Sequence, residues 1–190
     1  MVTSKRLSKR GAWLLFTSVA FPIHVWALIL IFRDFSWVTE RTNSWDAVGV
    51  GAYGLSVALV ESIFVFLIVF LLGFFISQKW DEKKRITILS LLMLITSIWA
   101  ILGQLYFLFE VSPPLRWIQV LASGTHPLRN LYTICLIIVA LTVFLPLWAL
   151  LKSQKFTNTY HEMIERIALL VSLYLVMDIG SLVIVLIRNL

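Results

Sequence analysis

Five stretches of this chain run for more than twenty residues with almost no charge, over residues 11–32, 50–76, 86–109, 130–151 and 165–187. About 20 apolar residues cover the hydrocarbon layer of a bilayer. Lipid offers no partner to an unpaired backbone group, so each stretch is predicted to be a helix. The second apolar run is the longest, from Ala47 to Gln78. Its beginning, Ala47 to Gly54, is expected to stand above the membrane or to run tilted. Pro22 and Pro146 fall inside the first and fourth stretches and predict kinks there. The chain thus reads as an all-α integral membrane protein, a compact bundle of five transmembrane helices forming one domain, 1–190, with no soluble domain.

The connections are short, with one exception. Residues 110–129 begin with Ser112-Pro113-Pro114, continue as Leu115-Arg116-Trp117-Ile118-Gln119-Val120-Leu121 and break at Ser123-Gly124. The middle of this third loop is predicted to be a short amphipathic helix lying at the membrane interface, with a re-entrant segment as the alternative.

Charge adds orientation. Lys5, Arg6, Lys9 and Arg10 precede the first helix; Lys79, Lys83, Lys84 and Arg85 fill the second loop; Lys152, Lys155 and Arg166 fill the fourth. Against these eleven, the other side holds only Arg33, Arg41, Arg116, Arg129 and Arg188. The positive-inside rule places the N-terminus in the cytoplasm and the C-terminus outside, in a plasma (inner) membrane. Trp13, Trp80 and Trp148 then mark the inner boundary, and Trp37, Trp45 and Trp117 the outer one. The first stretch is too long for a signal peptide and no small-x-small site follows it, so it is expected to stay as an anchor.

Composition agrees with this class. Of 190 residues 60% are hydrophobic and 14% charged, with mean hydropathy +0.93, against about 25% charged in soluble domains. The net charge of +6 sits in short caps between apolar segments, which argues for lipid as partner and against nucleic acid. The single cysteine, Cys135, excludes an intramolecular disulfide and a multi-cysteine metal site, and its expected role is that of a free core thiol.

Small and polar residues fall on stripes within the helices. Gly54, Ala58 and Ser62 repeat every four residues, as close helix approach requires. Ser90, Ser97 and Gln104 repeat every seven, and Tyr174, Asp178 and Ser181 share a side. Away from the ends, only His24, Glu61 and Asp178 interrupt the spans with charge-bearing groups. A charge at the bilayer centre costs at least about 2.5–3.5 kcal/mol, so such residues face the bundle or a wet cavity. His24, Glu61, Gln104 and Asp178 are therefore the candidate midplane site for an ion, a proton or a small solute, the alternative being a hydrogen-bonded plug that fixes helix register. On the outer side Arg116, His126 and Arg129 form a second candidate, an anion or lipid contact, against plain interfacial snorkelling.

Other motifs fail. Gly49-Val50-Gly51-Ala52-Tyr53-Gly54 matches G-x-G-x-x-G but has no strand before it, so close packing is its expected use. Ser123-Gly124-Thr125-His126 has an inserted residue relative to the Ser-Gly-His element of membrane lipid phosphatases and no second motif accompanies it. Only His24 lies within a span, which leaves a haem without facing ligands. No activated nucleophile is visible, and no cofactor or metal is expected. The resulting expectation is a transport-related membrane protein. The alternatives are a non-catalytic accessory or assembly subunit, with partner subunits or further copies of the chain, and an enzyme acting on lipid at the outer face.

Overall fold

The computed structural model describes residues 7–76 and 80–190; Lys5, Arg6, Lys79 and Gln78, used above, lie outside the described residues. The elements are α1 (Lys9–Arg41), α2 (Ser44–Leu72) ending in a short 3-10 turn (Gly73–Phe75), α3 (Glu82–Leu108), α4 (Leu115–Ala122), α5 (Pro127–Lys152) and α6 (Gln154–Asn189). All but α4 are long and apolar enough to cross a membrane. No strand occurs among the described residues.

Short polar side chains start four of these helices. Ser8 accepts from the Gly11 amide, Asn43 from Asp46, Asp81 from Lys84 and Ser153 from Phe156, satisfying amides that have no partner within the helix. α3 stops where Glu110 takes φ 49° and the Val111 amide reaches back to the Tyr106 carbonyl. Pro113 and Pro114 then forbid continuation. Both internal prolines, Pro22 and Pro146, are carried inside continuous helices.

The helices exceed the apolar stretches. Only Thr42 and Asn43 separate α1 from α2, so the two form a helical hairpin that includes Ala47 to Gly54. α6 gains eleven residues at its start, where Thr157 and Ile164 are buried and Lys83 Nζ donates to Asn158 Oδ1 at 2.8 Å. Cation–aromatic pairs mark the ends: Arg41 over Trp37 and Arg188 over Trp45 at one, Lys84 over Trp80 and Lys152 over Trp148 at the other.

Packing is uneven along the bundle. Leu14, Ile86, Ile88, Leu91, Leu150 and Ile164 form a core joining α1, α3, α5 and α6 near the Lys-rich end. Leu15, Val19, Val69 and Leu89 join α1, α2 and α3. Toward the other end α1, α2 and α6 stay together through small residues, with Ala20, Ala52, Ala58 and Ser62 buried. There α3 and α5 splay outward; Ile98, Leu102 and Phe107 of α3 are exposed, and Leu150 is the one buried residue of α5. Cys135 is consequently exposed, a correction to the core thiol expected from sequence. Its helix touches neighbours chiefly near its own C-terminal end, far from position 135.

Gly11 and Gly103 separate two uses of glycine. A Cβ at Gly11 would strike Glu82 and the Ile86 side chain, and Glu82 is the acceptor for both the Ser8 amide at 2.7 Å and its hydroxyl at 2.6 Å. A Cβ at Gly103 would meet nothing. Ala gains about 1 kcal/mol over Gly inside a helix. Gly103→Ala is therefore expected to raise the thermal midpoint in detergent. Gly11→Ala should lose that gain through the displaced hydrogen bonds, each worth about 1 kcal/mol. Equal gains for both variants would contradict this packing.

Candidate functional site

The four polar residues expected at the midplane divide into two groups. His24 and Asp178 meet between α1 and α6, with His24 0% and Asp178 1% exposed. His24 Nε2 lies 3.0 Å from Asp178 Oδ2 and 3.2 Å from Oδ1. His24 Nδ1 lies 2.8 Å from the Ala20 carbonyl. That carbonyl can only accept, so Nδ1 carries a hydrogen. A hydrogen between Nε2 and the carboxyl group completes the contact, since two facing lone pairs at 3.0 Å would repel. Tyr174 covers the imidazole face at 5.6 Å between centroids and 11° between planes, and Phe21 stacks on Tyr174 in turn.

Helix geometry explains the meeting. His24 lies four residues after Ala20, so both point toward α6. Asp178 and Ser181, three apart, point back and are both buried. The pair is thus closed off from the surface and joins α1 to α6.

Glu61 and Gln104 are placed elsewhere. Both line a groove of about 670 Å³ between α1, α2 and α3. Pro22, Ile23 and Trp26 form the α1 wall, neighbours of His24 in sequence that face the opposite way. Val60, Phe64 and Val65 come from α2, and Met93, Ser97, Ala100 and Ile101 from α3. Glu61 misses the α1 contact because Ala58 and Ser62 occupy it; both are buried, while Glu61 is exposed. Among the described residues Glu61, Ser97 and Gln104 make no side-chain hydrogen bond and no ion pair. Their capacity is turned into the groove. Trp26, Phe64 and Met93, which complete its wall, carry no signal in a single sequence, where they read as ordinary lipid-facing residues.

The outer-face candidates are exposed and not linked to one another. Arg116 stands on α4, His126 at the junction before α5 and Arg129 in its first turn; all three are exposed. No hydrogen bond or ion pair joins them among the described residues. No group of three metal-ligating side chains occurs among the described residues either. The chain matches no family model, and no curated protein or solved structure is significantly similar to it.

Removing one partner of a buried pair strands the other. Asp178→Ala is expected to cost about 3–5 kcal/mol of stability. His24→Ala/Asp178→Ala should cost clearly less than the sum of the single variants, read from unfolding midpoints in detergent. Additive losses would mean that the two side chains are not coupled.

Proposed function

We propose that the protein is a transport-related membrane protein whose working site is the groove between α1, α2 and α3. It receives a small amphiphilic solute sideways from the lipid. The observation that carries this reading is the unpartnered Glu61 carboxyl, about midway along α2, facing a mostly apolar groove of about 670 Å³. Ligand sites commonly occupy about 300–1,000 Å³, with apolar walls and a few convergent polar groups. A carboxyl placed at that depth is expensive unless something answers it. His24–Asp178 has a supporting part: it ties α1 to α6, so the α1 wall of the groove has a fixed backing.

In this reading the N-terminus is cytoplasmic, the C-terminus is extracytoplasmic and the membrane is the plasma (inner) membrane. Support comes from the eleven-to-five division of Lys and Arg between the two sides. The α4 helix then lies at the outer interface, with Arg116 and Arg129 reaching for headgroups. The groove opens from the middle of the bilayer into its outer half.

A second reading, an accessory subunit of a larger membrane complex, draws support from α5. Its side chains are uncovered over nearly the whole helix, leaving a face that another membrane helix could cover. Co-purification of a stoichiometric partner in mild detergent would favour it.

The groove reading is tested by leaflet exchange. Vesicles carry a single-chain amphiphile with a nitrobenzoxadiazole label in one leaflet, and dithionite reads the fraction reaching the other. Wild-type protein is expected to speed exchange several-fold over protein-free vesicles. Ala100→Trp, which fills the groove from an exposed position, should return the rate to background with an unchanged melting temperature. Equal rates for wild type, Ala100→Trp and empty vesicles would remove the proposal.

A further inference from the structure

We infer that the groove is selective for lipophilic cations: a monovalent positive centre held at Glu61, on an apolar body that fills the space between α1, α2 and α3. The inference rests on the groove reading above and names the chemistry it would accept.

Charge complementarity is the first ground. Glu61 is the one charged side chain in the lining, and no Lys, Arg or His shares the groove with it. An anion placed there would meet a carboxyl group and no compensating donor cation. A neutral guest would leave that carboxyl unanswered in a low-dielectric setting, where isolated charge is most costly. A cation instead forms a charge-assisted contact.

The shape and polarity of the wall are the second ground. Trp26 of α1 and Phe64, three residues after Glu61 on α2, are the aromatic side chains in the lining, and aromatic rings attract a weakly hydrated cation. The remaining polar side chains are few: Thr96, Ser97 and Gln104 stand on α3, with Thr96 already donating to the Leu92 carbonyl and Gln104 toward the C-terminal end of the helix. A strongly hydrated ion would need many oxygen ligands, and the groove supplies too few. An organic cation, whose charge is spread and whose body is apolar, needs only one carboxylate and contact area. The groove is also open along one side, which suits a guest already dissolved in lipid and not one arriving from water.

Tetraphenylphosphonium and tetraphenylborate have nearly the same size and shape and opposite charge, so their comparison isolates the sign of the charge. Equilibrium binding is measured on the full chain in lipid nanodiscs. The expected result is saturable binding of tetraphenylphosphonium to wild type and to Glu61→Asp, with affinity falling about tenfold or more in Glu61→Gln, as loss of a charge-assisted contact implies. Tetraphenylborate should show only the non-saturable uptake of empty nanodiscs. Glu61 is exposed and makes no hydrogen bond, so Glu61→Gln is expected to fold normally.

Equal affinity of wild type and Glu61→Gln for the phosphonium, or saturable binding of the borate, would overturn the cation assignment. If neither ion binds while the labelled amphiphile still exchanges between leaflets, the assignment fails and the groove reading stands. If exchange also equals that of Ala100→Trp, both fail. Cross-linking of Val60→Cys into a dimer that buries the groove would likewise overturn the assignment, because a second copy would then be the occupant.

Discussion

A polar side chain inside hydrocarbon has to find a partner or carry a large cost, and this requirement organises the described structure. His24 meets it within the fold. Its two ring nitrogens are taken by the Ala20 carbonyl and the Asp178 carboxyl, and Tyr174 closes the remaining face. Hydroxyl groups meet it locally: Ser18, Ser62, Ser90 and Ser172 each return a hydrogen bond to a carbonyl one turn back. Glu61 does not meet it within the fold, nor do Ser97 and Gln104 beside it, and these three together direct attention to the groove. Ser56 Oγ, elsewhere on α2, is likewise buried without a partner among the described residues.

The uneven packing follows from where large and small residues fall. Near the Lys-rich end, Leu and Ile from four helices interdigitate around Ile164 and Leu150. Toward the other end, Ala and Ser bring α1, α2 and α6 close. Arg188 ties the last turn of α6 to Asp46 and to the Trp45 carbonyl at the start of α2. α3 carries Ser97, Ala100 and Gly103 there, yet the first two line the groove and Gly103 meets nothing, so they make no close helix contact. The groove lies on one side of the divergence of α3 from α1 and α2, and the apolar surface of α5 lies beyond it. Closely packed and open regions thus coexist in one bundle, and α1 belongs to both. One face of α1 is fixed against α6 by His24, and the other forms the wall that carries Trp26.

Much of the helix plan was legible from the chain. Its apolar stretches exceed a bilayer crossing, and Ser8, Asn43, Asp81 and Ser153 cap helices by a mechanism that depends only on neighbours in sequence. The stripe of Ala58 and Ser62 pointed correctly to a close helix contact. The expectation for Cys135 failed because a helix that is apolar all round does not disclose which side, if any, meets another helix. His24, Glu61, Gln104 and Asp178 were grouped because each interrupts an apolar span, but position along a span does not bring side chains together.

Sequence by itself determined the number of apolar helices and which polar groups fall within them, since both depend on local composition and on backbone hydrogen bonding, whereas α1 and α6 run well past the stretches it marked. Only the tertiary structure decided that His24 faces Asp178 and that Glu61 faces an open groove. A helix fixes the angle between its own residues, at about 100° per residue, but not its rotation about its axis relative to other helices. That rotation is set by side-chain packing among all the helices together, and it separates a sealed pair from an exposed carboxyl.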